Sequence, residues 1–231
     1  MAKTEMKDLD ALLDAALSHV PFDGWSPAAF SAACTDLDMS AAEAKVLAPG
    51  GAIDLAVACH RRADQAMIER LKHADLSAMR FREKVATALR FRVEAMEDRE
   101  AIRRATTLFS LPLHAAEGAK LVWETADHVW VALGDTSDDL NWYTKRATLS
   151  AVWTATVFYW LGDDTPGYAR TFEFIDRRIE DVMRIEKVKG QLRENPLTKP
   201  WMDLQAGIFK KVKMPDMSKF QDLPGRWQGP R

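Results

Sequence analysis

Apolar residues recur every three or four positions along most of this chain, and no stretch shows the alternation of apolar and polar residues that a half-buried β-strand requires. Residues 81–99 show the pattern clearly, with Val85, Leu89, Val93 and Met96 at steps of four, four and three. Only 11 glycines and 10 prolines occur in 231 residues, which argues against a loop-rich β-sandwich. The spacing therefore predicts an all-α protein, and the 47% apolar fraction is ample for a core.

Nine helices follow from this spacing and from the residues that start and stop helices. Ser26 before Pro27 and Ser40 before Ala41 are expected N-caps, because a serine hydroxyl accepts the free N–H groups of a first turn. The first three helices are short, and the tight turn between the last two resembles a helix-turn-helix. The predicted helices cover residues 8–20, 27–37, 41–47, 52–74, 81–99, 101–111, 114–133, 139–161 and 167–192.

The chain divides into three predicted parts. Residues 1–51 form a helix-turn-helix-like head, residues 52–195 a helical body, and residues 196–231 a basic tail. A helix-turn-helix head on a larger helical body whose last two helices are paired is the layout of TetR-type repressors. The fold class predicted is a TetR-like helical bundle.

Two helices of the body have unusual patterns. Residues 149–161 are apolar on all sides, so we expect this helix to be central. The last long helix carries a narrow apolar seam, which packs against another helix either in the same chain or across a symmetric homodimer. The seam consists of Tyr168, Phe172, Ile175, Ile179 and Val182.

Charge is distributed unevenly along the chain. Residues 1–55 hold three lysines and nine acidic residues, a net charge of −6, whereas residues 187–231 hold ten basic and four acidic residues, a net charge of +6. DNA affinity depends on Lys and Arg that neutralise phosphates, and the candidate recognition helix offers only Lys45 beside Glu43. We therefore expect the helix-turn-helix to act as a scaffold and not to bind DNA.

Residues for catalysis or metal binding are not grouped in recognisable motifs. The histidines are scattered, and the two cysteines, Cys34 and Cys59, lie in helical stretches far from any zinc-binding spacing. Glu124 and His128 lie one turn apart, but a di-iron site needs Glu-x-x-His on two helices. We therefore predict a protein that is not an enzyme and has no metal or other cofactor.

The sequence also bears on location. Residues 1–8 resemble neither a secretory signal nor an Arg-rich transit peptide. The longest strongly apolar run, residues 149–161, is too short to span a bilayer. We expect a cytoplasmic protein without a membrane-spanning helix.

Aromatic residues are concentrated in two neighbouring predicted helices, where small residues on the facing side could leave space between them. One interpretation is an ordinary large core, because Trp and Phe usually lie inside. The other is an apolar ligand cavity between helices. The candidate lipid-binding residues are Trp123, Trp130, Ala147, Ala151, Thr154 and Phe158.

The tail contains an amphipathic basic stretch after Pro200. A helix with Trp and Phe on one face and lysines beside them is typical of a segment that lies in a membrane interface. The alternative is a helix docked on the body or on a dimer partner. The candidate membrane residues are Trp201, Leu204, Ile208, Phe209, Lys210, Lys211 and Lys213.

The start of the helix at 139–161 is a candidate docking surface. Trp142 and Tyr143 stand in its first turn directly after a polar loop, and Asp139 is its expected cap. Two aromatic anchors inside a polar rim are the usual anatomy of an interface hot spot. The alternative is that Trp142 plugs the end of the core. The candidate partner-binding residues are Asp139, Asn141, Trp142, Tyr143, Lys145 and Arg146.

The segment 134–147, with the sequence GDTSDDLNWYTKRA, resembles the ubiquinone-biosynthesis accessory proteins, lipid-binding relatives of the TetR fold. The family signature reads approximately G-D-x-S-x-D-F-N-W-Y-[ST]-[KR]-R. The resemblance continues through residues 164–166 and 171–179. This chain has Leu140 where the family usually has Phe, and Thr171 where it usually has Trp.

The resemblance implies one function that joins the candidate cavity, tail and docking surface, which the residues alone indicated separately. Such a protein takes up isoprenoid quinone intermediates, or a phospholipid, at the surface of the inner membrane. It presents the intermediates to the demethoxyubiquinone hydroxylase, a di-iron monooxygenase that docks on the surface around Trp142. The alternative function is a TetR-type transcriptional regulator that senses an apolar ligand.

Overall fold

The computed structural model describes residues 2–137 and 140–194, with side chains for residues 9–137 and 141–184. The prediction of an all-α protein is confirmed, since the described residues contain helices and no strand. A short 3-10 helix, Pro166–Tyr168, precedes the last α-helix. The helices are α1 (Ala2–Asp23), α2 (Pro27–Asp36), α3 (Ala41–Leu47), α4 (Ala52–His73), α5 (Phe81–Glu94), α6 (Arg99–Ser110), α7 (Ala115–Ala132), α8 (Leu140–Leu161) and α9 (Ala169–Glu194).

Capping residues set most of these boundaries. The hydroxyl of Ser26 accepts a hydrogen bond from the N–H of Ala29 at 3.2 Å, and Ser40 forms a reciprocal capping box with Glu43. The predicted helix at 81–99 is wrong in its end, because α5 stops at Glu94. The carboxylate of Asp98 instead starts α6, accepting from the N–H of Ala101 at 2.8 Å.

The head and the body have separate cores, and helices α4 and α6 contribute side chains to both. The head core contains Leu12, Leu13 and Leu55 and extends to Ala101 on α6. The indole N–H of Trp25 donates to the carbonyl of Ala101 at 3.0 Å, which joins the head to the body. Because α4 places Leu55 in the head core and Met67 in the body core, it continues from one core into the other.

The expectation that α8 lies at the centre is wrong for one of its faces. Leu149, Val152, Trp153 and Trp160 are buried in the body core, but the side chain of Phe158 is 57% exposed. Ala147, Ala151 and Thr154, on the same face as Phe158, are exposed too. Small side chains on this face do not fill the space beside it, so a helix that is apolar all round remains open on one side.

The seam of α9 packs within its own chain. Ile175 and Ile179 are buried in the body core. Tyr168, Phe172 and Val182 are partly buried against the same core. Of the two alternatives for this seam, the structure shows the packing against helices of the same chain.

Candidate functional site

A cavity of about 600 Å³ lies between five helices of the body, α4 to α8. Its walls are mainly apolar, and the exposure of Ala119 and Phe158 shows that it opens to the surface. The volume falls within the range of about 300–1,000 Å³ that is typical of small-molecule sites. The cavity is therefore the candidate site for an apolar ligand.

The structure brings five of the six candidate lipid-binding residues to this cavity. Trp123 comes from α7, and the other four line the open face of α8 at helical spacing: Ala147, Ala151, Thr154 and Phe158. Trp130 lies elsewhere, stacked on Phe81 with ring centroids 5.5 Å apart.

Sequence reasoning missed the wall that α6 contributes. Ile102, Ala105, Thr106 and Phe109 line the cavity from this helix. Their spacing of three, one and three residues marks one helical face, so the signal was present in the sequence. Without the fold, that face could not be distinguished from one that packs into a core.

Gly118 allows α6 and α7 to approach closely at the rim of the cavity. A Cβ atom at Gly118 would lie 2.7 Å from the Cβ of Phe109 and 3.1 Å from its carbonyl oxygen. Such distances are below van der Waals contact, so any larger residue would push Phe109 and the end of α6 away. The absence of a side chain at this position thus fixes the shape of the cavity wall.

The inner side of the cavity carries a buried ion pair. The Nε of Arg92 donates to a carboxylate oxygen of Asp64 at 2.5 Å, and both side chains are almost completely buried. The hydroxyl of Thr125 donates to the same carboxylate at 2.9 Å. Burial by itself would raise the pKa of Asp64, but the charge of Arg92, with His60 and His128 nearby, holds it well below its usual range. Asp64 is therefore ionised and neutralises Arg92.

Two histidines flank this pair and differ in their titration. Burial lowers the pKa of His60 to about 4, which outweighs the attraction of Asp64 and leaves the ring neutral at pH 7. For His128 burial also opposes protonation, but the adjacent carboxylate of Asp64 raises its pKa. The Nε2 of His60 lies 2.9 Å from the Thr125 hydroxyl, and the Nδ1 of His128 lies 3.4 Å from an oxygen of Asp64. Only His60 of the two lines the cavity.

The candidate docking surface is an aromatic cluster at the start of α8. The rings of Trp142 and Tyr143 meet edge to face with centroids 4.7 Å apart, and Trp123 lies 5.8 Å from Trp142. Trp142 and Tyr143 are half-buried, while Asn141 is exposed. Both aromatic anchors thus keep part of their surface accessible, next to a residue that lines the cavity.

The basic residues of this surface are tied to the body. Arg146 is buried, donates to Asp127 at 2.5 Å and lies with its guanidinium 4.0 Å from the ring centroid of Trp142. Lys145 donates to Asp135 at 2.6 Å. Arg146 therefore supports Trp142 from beneath and is not part of an exposed polar rim.

Several predicted residues lie outside the described part of the chain. They are Asp139 and the candidate membrane residues Trp201, Leu204, Ile208, Phe209, Lys210, Lys211 and Lys213. Among the residues that the structure describes, no helix is long and apolar enough to cross a membrane. The same residues contain no group of three or more His, Cys, Asp or Glu side chains that could hold a metal ion.

Comparisons with known proteins agree with the sequence motif. The COQ9 family model matches residues 115–186, a range that includes α7, α8 and the start of α9. The mitochondrial ubiquinone biosynthesis protein COQ9 of Rattus norvegicus is 28% identical over 79% of this chain and 61% of its own length. The Xenopus tropicalis protein of the same name is 30% identical over 74% of this chain and 56% of its own length. This chain thus spans about three-fifths of these relatives.

A solved structure supports the fold. The TetR transcriptional regulator from Nitrosomonas europaea superposes with a TM-score of 0.63 over 75% of this chain and 97% of its own, at 18% identity. At that identity the likeness concerns the fold alone. The resemblance seen in the sequence is confirmed: this chain resembles the COQ9 family of ubiquinone biosynthesis proteins, and its fold is that of a TetR regulator.

Proposed function

We propose that this chain serves ubiquinone biosynthesis as a lipid-binding accessory protein and not as an enzyme. The observation that carries the proposal is the open apolar cavity of about 600 Å³ that the five helices α4 to α8 line. The pathway comes from the relatives, which are named ubiquinone biosynthesis proteins. An apolar molecule of that pathway, an isoprenoid quinone intermediate, suits such a cavity.

A quinone with a long isoprenoid chain resides in a bilayer, so the protein must reach a membrane surface to collect it. The tail supplies a means, because residues 201–213 combine an apolar stripe with lysines. We expect peripheral attachment to the inner membrane through this segment. A phospholipid drawn from the same bilayer is the other ligand that we consider, with its acyl chains in the cavity and its phosphate outside the open side.

The aromatic cluster supports presentation of the ligand to the demethoxyubiquinone hydroxylase. Trp123 lines the cavity and also lies 5.8 Å from Trp142, so the ligand site and the candidate docking surface share this residue. A partner that binds Trp142 and Tyr143 would sit beside the bound molecule. This proximity is the arrangement that a transfer of substrate between proteins requires.

Filling the cavity tests the function. Ala151→Trp places a large ring in the cavity from an exposed position on α8, and Ala132→Trp makes the same change at an exposed position outside it. Each protein is incubated with vesicles that contain demethoxyubiquinone, separated from them, and extracted. We expect the parent and Ala132→Trp to carry the quinone and Ala151→Trp to carry at least about tenfold less. Equal amounts in both variants would show that the cavity is not the binding site.

The second candidate function is transcriptional regulation, which the TetR-like fold favours. The candidate recognition helix α3 argues against this function. It carries Glu43, a single lysine and Val46, whose side chain is 79% exposed, so it offers little positive charge to DNA phosphates. We expect no retarded species in a mobility-shift titration at low salt with DNA from around its own gene. A shift at submicromolar protein that weakens with salt would restore this function, because release of counterions produces that signature.

A further inference from the structure

Three residues of the cavity wall carry buried polar groups without a partner. They are Nη1 of Arg92 on α5, the indole N–H of Trp123 on α7 and the hydroxyl of Ser150 on α8, and none finds a hydrogen-bond partner within the part of the chain that the structure describes. Orphaned buried donors are rare in native proteins because leaving one unpaired is costly. Here three helices each bring one to the same cavity.

Ser150 differs from two other hydroxyls of the cavity wall. Thr106 and Ser110, which also line the cavity, donate to the carbonyl oxygens of Ile102 and Thr106 in their own helix, at 2.9 and 2.7 Å. Ser150 makes no such bond, although Thr156 farther along α8 does, to Val152 at 2.8 Å. Helix geometry therefore does not prevent the bond, and the Ser150 hydroxyl is left available to a ligand.

Trp123 makes a similar contrast with Trp25, whose indole N–H is paired with a backbone carbonyl. Trp130 and Trp160 also have unpaired indole N–H groups, but both residues lie outside the cavity. Of the indole N–H groups that lack a partner in the described part of the chain, the one of Trp123 belongs to a residue that lines the cavity.

The charge balance of the site decides which acceptor fits. Asp64 already neutralises Arg92 at 2.5 Å, and the neighbouring His60 is neutral. The cavity thus presents hydrogen-bond donors without a net positive charge. An uncharged oxygen, such as a carbonyl or methoxy oxygen, suits these donors better than a carboxylate or phosphate, which would enter an apolar cavity without a counter-charge.

We propose that Trp123, Ser150 and Arg92 make the cavity selective for apolar molecules that carry uncharged acceptor oxygens, over hydrocarbons of the same size. The inference rests on the proposed function, because it assumes that the cavity binds an apolar ligand. It adds the residues that recognise the oxygenated end of that ligand.

Two probes of equal chain length test the inference. One is decyl-substituted dimethoxy-methyl-benzoquinone and the other is decylbenzene, each measured by competition against the neutral fluorophore Nile red. Ser150→Ala and Trp123→Phe remove one donor each and keep the apolar surface. Thr107→Ala removes a hydroxyl of α6 that lies outside the cavity and is already paired with the carbonyl of Arg103, and serves as the matched control.

We expect the quinone to bind at least about tenfold more tightly than decylbenzene, and Ser150→Ala and Trp123→Phe each to weaken the quinone roughly three- to tenfold, as expected for one hydrogen bond. The affinity for decylbenzene should be the same in these variants as in the parent, and Thr107→Ala should leave both affinities unchanged. Equal affinity of the parent for both probes, or a quinone affinity that neither variant changes, would overturn this inference but leave the proposed function standing. If neither probe displaced Nile red, the proposed function would fail with it.

Discussion

At the scale of single residues, His60 connects the cavity to the pH dependence of stability. Burial lowers its pKa to about 4, against about 6.5 in an unfolded chain. Because the folded-state pKa is the lower one, the unfolded chain binds more protons in this window. The stabilising contribution of neutral His60 is therefore complete above pH 6.5 and is lost as the pH falls towards 4. The free energy of unfolding should fall by about 3 kcal/mol over this range.

His60→Gln should consequently lose less stability in acid than the parent. Urea unfolding at pH 7 and pH 4.5 measures how far the free energy of unfolding falls in acid. We expect this fall to be about 2 kcal/mol smaller in His60→Gln than in the parent. His128 provides a control of opposite sign. The pKa of His128 is raised, so this residue stabilises the fold below its unfolded-state pKa. The variant His128→Gln should therefore lose more stability in acid than the parent. An acid loss in His60→Gln equal to that of the parent would contradict this account.

Trp142 carries the docking prediction. We expect Trp142→Ala to weaken binding of the demethoxyubiquinone hydroxylase by about 2 kcal/mol or more, because aromatic anchors dominate interface energetics. Its half-burial against Trp123 and Arg146 adds a moderate loss of stability. Surface plasmon resonance with the purified hydroxylase measures the affinity.

Trp25→Ala is the matched control, since Trp25 is a buried tryptophan of the head whose indole N–H donates to the carbonyl of Ala101. This variant should be destabilised but retain its affinity for the hydroxylase. Equal losses of affinity in both variants would show that Trp142 acts only through the fold, and the docking surface would have to lie elsewhere.

The residues also mark where sequence reasoning stops. Two aromatic residues in the first turn of α8, after a polar loop, predicted side chains that their own domain does not fully enclose, and Trp142 and Tyr143 are half-buried. Their role in docking stays a prediction. Arg146, from the same motif, proved to be buried against Asp127. Its partner lies 19 positions away on α7, and only the packing of the two helices brings the charges together.

At the scale of elements, local signals were sufficient for most helices. Capping serines, with Pro27 at the first position of α2, fixed the starts of α2 and α3, because these interactions lie within four residues along the chain. The predicted helix at 81–99 ran too far because its apolar period continues to Met96, beyond the last helical residue, Glu94. The sequence left two interpretations open for the small residues of α8, a filled core and a cavity, because hydrophobicity does not distinguish a small residue that fills space from one that leaves it empty.

The tail is the element whose role depends most on experiment. Deleting residues 197–231 should leave a folded body and reduce binding to vesicles, most strongly to anionic ones. Each basic residue near an anionic surface contributes about 1 kcal/mol, so Lys210, Lys211 and Lys213 together carry much of the attachment. Vesicle flotation measures the bound fraction.

A triple substitution of these lysines by glutamine separates charge from apolar insertion. It should lower binding to anionic vesicles and leave binding to neutral vesicles unchanged. If the truncated protein floats as well as the full chain, the tail does not attach the protein to membranes.

At the scale of the whole molecule, the TetR-like fold is combined with a charge distribution unlike that of a DNA-binding protein. The first 55 residues carry a net charge of −6 and the last 45 a net charge of +6. The cavity, which is large enough for a ligand, is lined by the five helices α4 to α8. Fold, charge and cavity are consistent with a scaffold that holds an apolar molecule. A homodimer stays a prediction, which sedimentation equilibrium can test.

The central claim is that the cavity holds a lipid, and the lipids that co-purify with the protein test it most directly. Mass spectrometry of organic extracts should show an isoprenoid quinone or phospholipid in substantial molar occupancy in the parent and in Ala132→Trp. The same species should be depleted at least about tenfold in Ala151→Trp. Extracts of the parent that match those of an unrelated control protein would contradict the claim.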